Sequence, residues 1–233
     1  MRLMISVVSA TEARQAIFCG ADLLDIKNPG EGSLGAQSPR VIEEIKSISP
    51  DNIEISAAVG DMPNLPGTAA LAALGAAVCG ADYIKVGLHG PRTEAEALTL
   101  LRVVQEATVR FNTSVIAGGY ADHQRAGTLD PNCLPRLAAS AGIRGCLLDT
   151  AVKDGQTLLH FLDPEKLSSM TKQAHDAGLL FGAAGALREE DLPVLRDAGV
   201  DVVGVRTALC RNHCRRGPLE TARISYWLEQ FKV

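Results

Sequence analysis

The sequence of 233 residues lacks any long block of charge of one sign. Its 23 basic and 27 acidic side chains are spread along the chain and give a net charge of -4. A surface that binds nucleic acid or an anionic membrane concentrates basic residues in one place. The distribution of charge therefore argues against both as partners.

Long apolar runs are also missing. No run approaches the roughly 20 residues of a membrane-spanning helix, and the N-terminal run Met1–Val8 is too short for a secretory signal and leads directly into a helical pattern. The six cysteines lie mostly in apolar, regular segments, which is not typical of a disulfide framework. We therefore expect a cytoplasmic protein whose cysteines are reduced.

Motifs for metals and redox cofactors are absent as well. Cys210, His213 and Cys214 lack a fourth ligand and the paired spacing of a zinc site. The pair Gly118-Gly119 is not a dinucleotide fingerprint. The sequence predicts no metal and no nicotinamide or flavin cofactor.

Five short joints recur along the chain, each an alanine or cysteine followed by glycine just before an apolar run. They lie at residues 19–22, 79–82, 141–142, 177–178 and 198–199. Glycine suits the left-handed residue that ends many helices. The joints therefore indicate repeated passages from a helix into a strand.

Hydrophobic periodicity divides the chain into eight strands that alternate with eight helices. The predicted strands are Leu3–Val8, Leu23–Lys27, Ile53–Val59, Tyr83–Leu88, Ser114–Gly119, Gly145–Asp149, Leu179–Ala184 and Val202–Arg206. The predicted helices are Thr11–Cys19, Pro39–Ser49, Thr68–Cys79, Thr93–Phe111, Pro131–Ala141, Pro164–Ala177, Glu189–Ala198 and Pro218–Phe231. Because the strands are apolar on both faces, this pattern predicts a single-domain (β/α)8 TIM barrel over residues 1–233, with a doubly wound open sheet as the alternative.

Charged side chains gather at the carboxyl ends of the predicted strands, where barrels of this kind carry their chemistry. Asp25 and Lys27 stand two residues apart on one face of the second strand, and aligning two of the joints places Lys85 at the depth of Asp25. The charged residues expected at this end are Asp25, Lys27, Asp61, Lys85, Asp149, Lys153 and Arg206. A structural network of ion pairs and a catalytic site both fit this pattern.

A lysine in such surroundings can be prepared for covalent chemistry. Its amine has an ordinary pKa of about 10.4 and must lose its proton before it attacks a carbonyl. Desolvation and a second cation both lower that pKa, and Lys27 beside Lys85 meets both conditions. Asp25 and Asp149 can orient the amines and relay protons. We therefore predict Schiff-base chemistry on a carbonyl substrate.

Small residues at the ends of the last two strands indicate a phosphate site. Gly185 and Ala186 follow the seventh strand, and Gly204, Arg206 and Thr207 close the eighth. Backbone N–H groups and one guanidinium would hold an oxyanion at the usual phosphate position of these barrels. Packing of the barrel is the alternative reason for such small residues.

The loop Asn28–Gly35 directly follows Lys27 and contains three glycines. It fits a lid over the substrate, a second phosphate site or an ordinary flexible connection. The segment Gly118–Asp122 after the fifth strand is a similar candidate.

These motifs together resemble one known family over essentially the whole chain, the (5-formylfuran-3-yl)methyl phosphate synthases of methanofuran biosynthesis. The motifs are DIKNP at 25–29, EGSLGA at 31–36, AVGD at 58–61, GADYIKVGL at 80–88, GYAD at 119–122, LDTA at 148–151, KDG at 153–155 and VGVR at 203–206. The resemblance implies condensation of two molecules of glyceraldehyde 3-phosphate to a phosphorylated furan aldehyde, with loss of phosphate and water. It implies Lys27 as the Schiff-base lysine, Lys85 as proton acceptor, and Asp25, Asp149 and Lys153 as further charged site residues.

Two other functions remain open from the residues. A class I aldolase of another phosphosugar would share the lysine, the phosphate site and the fold. A barrel without catalytic activity could bind a phosphorylated metabolite as a sensor.

The expected partners are a triose phosphate substrate and further copies of the chain. Barrels of this size often self-associate through their outer helices. Tyr226 and Trp227 in the last helix fit such a contact or simple packing on the barrel.

Overall fold

Eight parallel strands close into a barrel in which each strand pairs with its neighbours in sequence and β1 pairs with β8. The structure is a computed structural model that describes residues 1–232. The strands are β1 (Arg2–Val7), β2 (Leu23–Ile26), β3 (Glu54–Asp61), β4 (Tyr83–Gly87), β5 (Ser114–Tyr120), β6 (Gly145–Asp149), β7 (Leu180–Ala183) and β8 (Val202–Val205). The predicted closed barrel is confirmed, and the open sheet is wrong.

The helices that cover the barrel follow the predicted order. They are α1 (Ala10–Phe18), α2 (Pro39–Ile48), α3 (Pro66–Val78), α4 (Glu94–Thr108), α5 (His123–Ala126), α6 (Leu134–Ala141), α7 (Leu158–Phe161), α8 (Pro164–Asp176), α9 (Leu192–Asp197) and α10 (Thr221–Glu229). The sequence predicted eight of them, because the four-residue helices α5 and α7 are too short to show a hydrophobic period. Short 3-10 turns at Pro131–Cys133 and Glu189–Asp191 occupy the beginnings of two predicted helices.

Local chemistry explains where these helices begin and end. Proline stands in the first turn of α2, α3 and α8, where a missing N–H costs nothing. Thr93 and Glu96 form a reciprocal capping box at the start of α4. Gly142 has φ of +68° just after α6, which a residue with a Cβ rarely adopts. The predicted helix-to-strand joints are therefore real.

Two different layers of side chains line the inside of the barrel. Towards the end where the strands begin, called the floor here, lies a small apolar cluster of Met4, Leu23, Ile116 and Leu147, which is joined by Ala184 from just beyond the end of β7. Above it, towards the end where the strands finish, called the mouth, the buried side chains are mostly charged. TIM barrels normally fill this space with branched aliphatic residues. The charged layer therefore replaces packing with polar chemistry.

The two aromatic residues of the last helix, α10, differ in their burial. Trp227 is buried and packs with the main hydrophobic core, whereas Tyr226 is about half exposed. The alternative in which Trp227 packs on the barrel is therefore confirmed, and self-association stays a prediction. No helix in residues 1–232 is long and apolar enough to cross a membrane.

Candidate active site

Asp25 is the centre of the buried charges. The carboxylate has no exposed surface, and Ser6 Oγ donates a 2.9 Å hydrogen bond to its Oδ2. Lys85 Nζ lies 2.5 Å from Oδ1, and Lys27 Nζ lies 3.8 Å from Oδ2. Burial alone would raise the pKa of Asp25, but the charges of Lys85 and Lys27 outweigh burial and lower it. Asp25 is therefore a permanent anion between two amines.

Lys27 leaves β2 on the mouth side of Asp25. Only 8% of its side chain is exposed. Burial lowers the pKa of Lys27 from 10.5 to about 8, against the pull of Asp25 and Asp149 and with help from the cations Lys85 and Lys153. With that pKa, roughly one molecule in ten carries a neutral amine at pH 7, against about one in several thousand for an ordinary lysine.

Asp149 ends β6 on the other side of Lys27. Its Oδ2 accepts a 2.9 Å hydrogen bond from Ser33 Oγ, and its Oδ1 accepts from Thr150 N at 2.8 Å and Lys153 Nζ at 2.5 Å. Burial would raise the pKa of Asp149, but the charges of Lys153 and Lys27 and these hydrogen bonds lower it to about 2. A second permanent anion therefore faces Lys27.

A cleft of about 330 Å³, counted with its open entrance, joins this charged centre to the ends of β7 and β8. It is lined by Lys27, Asp149, Lys153, Ala184, Gly185, Ala186, Leu187, Gly204, Val205, Arg206, Thr207 and Arg215. Gly185 and Ala186 adopt left-handed backbone, with φ of +111° and +49°. Within residues 1–232, the backbone N–H groups of Gly185, Ala186 and Thr207 donate to no protein acceptor. These groups can therefore hold an anion at the predicted place.

Arg206 lines this cleft, but its guanidinium is not free to bind phosphate as the sequence predicted. Its five N–H donors are all used: Glu12 takes two, and the carbonyl oxygens of Ser6, Arg215 and Gly217 take the others. The side chain is buried and held in place by these hydrogen bonds, so it cannot make a bidentate contact with phosphate. Its partner Glu12 lies 194 residues away in the chain, which is why no local pattern revealed the pair.

Arg215 brings a positive charge to the cleft that the sequence analysis missed. Its guanidinium donates to the carbonyl oxygens of Pro29 at 2.9 Å, Gly32 at 2.7 Å and Ser33 at 3.3 Å. It therefore ties the segment after β8 to the loop after β2. Among the signals that could have drawn attention to it is the basic run around residues 211–216.

The loop Asn28–Gly35 is packed over the mouth and is called the roof loop here. Asp61 accepts hydrogen bonds from Ser33 N at 2.7 Å and Leu34 N at 3.1 Å, and the Tyr120 hydroxyl donates to the same carboxylate. Leu34 is fully buried, and a Cβ on Gly118 would lie 2.4 Å from its side chain. The interpretation as a loosely attached connection is therefore not supported.

Asp122 performs a similar anchoring role on the segment that carries Lys153. Its carboxylate accepts hydrogen bonds from Ala151 N at 2.6 Å and Val152 N at 2.9 Å. The segment Gly118–Asp122 therefore supports the site from below through Asp122 and Tyr120, rather than forming a separate ligand loop.

The fold and the charged mouth define the class of the protein as a TIM-barrel enzyme. The family model described as 4-HFC-P synthase matches residues 3–228. The chain belongs to that family.

Curated relatives are similar in sequence to this chain over nearly their whole length. The (5-formylfuran-3-yl)methyl phosphate synthase of Methanopyrus kandleri is 48% identical, with 94% of each chain covered. The proteins of the same name from Methanocaldococcus jannaschii and Methanothermobacter thermautotrophicus are 45% and 48% identical, with about 90% covered on both sides. The resemblance stated from the motifs is therefore confirmed, and the chain is a synthase of this family.

Solved structures support the fold. A 3-hexulose-6-phosphate synthase superposes with a TM-score of 0.66 at 17% identity, covering 98% of this chain and 99% of the other. The phosphoribosyl anthranilate isomerase of Thermus thermophilus gives 0.64 at 17% identity, covering 100% and 98%. At such identities the likeness shows the barrel alone.

Proposed function

We propose that the protein condenses two molecules of glyceraldehyde 3-phosphate to (5-formylfuran-3-yl)methyl phosphate through an imine on Lys27. The observation that carries this proposal is the position of the Lys27 amine. Burial lowers its pKa to about 8, and Lys27 lines the same cleft as the backbone N–H groups of Gly185, Ala186 and Thr207. The curated relatives named for this product support the choice of reaction.

The first step is capture of the substrate. The neutral amine of Lys27 attacks a triose carbonyl, and loss of water gives a protonated imine. Asp25 and Asp149, both ionised, stabilise the positive charge that develops on that nitrogen. Lys153, which contacts Asp149 through Oδ1, can pass a proton to the departing hydroxyl group.

The second step uses the imine as an electron sink. The C–H bond next to the imine carbon becomes acidic. Lys85, which lies beside Asp25 and has first released its ammonium proton to solvent, takes that proton as a neutral amine while the C–H electron pair moves into the imine. The enamine that forms can expel a phosphate from the neighbouring carbon or attack the second carbonyl. Ring closure then gives a furan, and the balance for two triose phosphates is one phosphate and two molecules of water.

The third part is retention of the remaining phosphate. Gly185, Ala186 and Thr207, whose N–H groups have no protein acceptor among residues 1–232, line the same cleft as Lys27, and Arg215 adds a positive charge there. Gly204 also lines the cleft, and its missing side chain makes room for Met4 and Ala184. The substrate that stays phosphorylated is thereby held while its carbonyl end remains on Lys27.

Product analysis tests the proposal directly. The wild-type protein, Lys27→Met and the matched control Lys172→Met, an exposed lysine on α8, are incubated with glyceraldehyde 3-phosphate. We expect an aldehyde that absorbs in the near ultraviolet, and one phosphate per two trioses, from the wild type and the control only. An aldol product without ring closure would instead identify a phosphosugar aldolase, and binding without turnover would identify a non-catalytic barrel.

A further inference from the structure

A second cavity opens at the opposite end of the barrel from the cleft. This floor cavity has a volume of about 840 Å³, including its open entrance, and its walls include Met4, Leu23, Ser56, Lys85, Ile116 and Leu147. It shares no lining residue with the cleft at the mouth. The barrel is therefore open to solvent at both ends, and the two openings meet different lysines.

Small side chains create this space. Ser56 on β3 and Gly182 on β7 line the cavity at positions where a TIM barrel normally carries branched aliphatic residues. Leu147 packs where a Cβ on Gly182 would stand, since that Cβ would lie only 2.9 Å from its side chain. The short side chain of Ser56 therefore leaves part of the floor unfilled, between walls that are mostly apolar.

The inner end of the floor cavity carries polar groups with unused bonding capacity. The Lys85 ammonium has three N–H donors, and the ion pair with Asp25 Oδ1 at 2.5 Å engages at most one of them. Ser56 Oγ is buried and has no hydrogen-bond partner among residues 1–232. Buried polar atoms beside a roomy cavity are ordinarily satisfied by water. Water in the cavity can satisfy these groups, although the walls are mostly apolar.

Asp25 stands between the two openings. Its Oδ2 faces Ser6 and Lys27, and Lys27 lines the cleft; its Oδ1 faces Lys85, and Lys85 lines the floor cavity. The mouth is covered by the roof loop, with Leu34 fully buried. A proton on Lys85 thus has a direct way to solvent through the floor cavity, whereas the way through the mouth passes Asp25 and the roof loop.

We propose that the floor cavity is a water-filled path through which Lys85 exchanges protons with solvent, with Ser56, which lines the same cavity, as the relay. This inference rests on the proposed function. Lys85 passes one ammonium proton to a water in the cavity, which passes it to solvent. The neutral amine then takes the proton from the carbon beside the imine while the C–H electron pair moves into the imine, and the ion pair with Asp25 is restored.

Access through the floor can be measured without turnover. In Ser56→Cys, the new thiol is labelled with methyl methanethiosulfonate and located by peptide mass mapping. We expect labelling, and a decrease of at least about tenfold in its rate when Val202→Phe narrows the entrance. The matched change Val109→Phe on the outer surface leaves the rate unchanged. The proposed path is overturned if Val202→Phe leaves the labelling rate unchanged, or if the thiol is not labelled at all.

The relay is tested by two variants of equal size, Ser56→Thr and Ser56→Val. Both should fold, because Ser56 Oγ makes no protein hydrogen bond that Val would break. In deuterated water we expect Ser56→Val to slow kcat and deuterium uptake into recovered triose phosphate by about tenfold, with KM and trapping at Lys27 unchanged. Ser56→Thr should retain both rates. Equal rates in the two variants overturn the relay, whereas absence of product from the wild type contradicts the proposed function alone.

Discussion

Lys85 Nζ lies 2.5 Å from Asp25 Oδ1, and neither side chain has more than 3% of its surface exposed. An ion pair this deep in a barrel is costly to desolvate and gives little net stability compared with apolar packing. Its position under Lys27 gives it another use: it fixes the charge environment of the amine that we expect to react. The predictions below follow from that arrangement.

Removal of the central anion should destabilise the protein. Asp25→Asn leaves Lys85 and Lys27 buried without their nearest counterion, which typically costs about 3–5 kcal/mol in free energy of unfolding. Urea denaturation at pH 7 measures this loss. The matched change Asp22→Asn, in a half-exposed carboxylate 3.8 Å from Arg2, should cost less than about 1 kcal/mol. Equal losses in the two variants would contradict the central role of Asp25.

Removal of the Lys27 amine should stabilise the protein. The pKa of Lys27 is about 8 in the folded protein and 10.5 ordinarily, so below pH 8 both states are protonated and folding bears the full cost of burying the charge. Lys27→Met should therefore raise the free energy of unfolding at pH 7 by roughly 1–3 kcal/mol, while abolishing product formation.

The pH dependence of that gain has a definite sign. Between pH 8 and 10.5 the unfolded state binds a proton that the folded wild type does not, so wild-type stability rises with pH. The difference in free energy of unfolding between Lys27→Met and the wild type should decrease from pH 8 to 10.5 and vanish above pH 10.5. An advantage that is constant with pH would show that it does not come from the Lys27 charge.

Activity should depend on pH through the same group. Because the neutral amine reacts, kcat/KM should rise with pH along a limb centred near 8, the pKa of Lys27. Lys153→Met removes a cation near Lys27 and leaves Asp149 without its ion pair to Lys153. Both changes stabilise the protonated form of the Lys27 amine. The limb should therefore move to higher pH. A shift to lower pH would contradict the assignment of the limb to Lys27.

The roof loop should be sensitive to a single methyl group. A Cβ on Gly32, whose φ is +143°, would lie 2.1 Å from Asp61 Oδ2, so Gly32→Ala should displace the loop from its anchor. We expect KM for the triose phosphate to rise about tenfold or more, measured by steady-state kinetics. Gly75→Ala inside α3, with nothing near the added methyl, should leave KM unchanged and stabilise the fold by about 0.5–1 kcal/mol. Similar KM values for both variants would show that the roof loop does not hold substrate.

The sequence reveals part of this structure for clear physical reasons. The alternation of strands and helices follows from periodicity and from glycines that end helices, and the equivalent depth of Asp25 and Lys85 follows from two similar joints. The pairing of Arg206 with Glu12 depends on a contact between the two ends of the chain, which no local pattern contains. The floor cavity depends on missing side-chain volume at Ser56, which becomes visible only when the barrel is closed.

Reductive trapping tests the central claim most directly. The protein is mixed with glyceraldehyde 3-phosphate and sodium borohydride, digested, and mapped by mass spectrometry, with Lys27→Met as the control. We predict a triose adduct on Lys27, increasing as the pH rises towards 8. An unmodified Lys27 beside a modified Lys85 or Lys153, or no adduct on any lysine, would contradict the account.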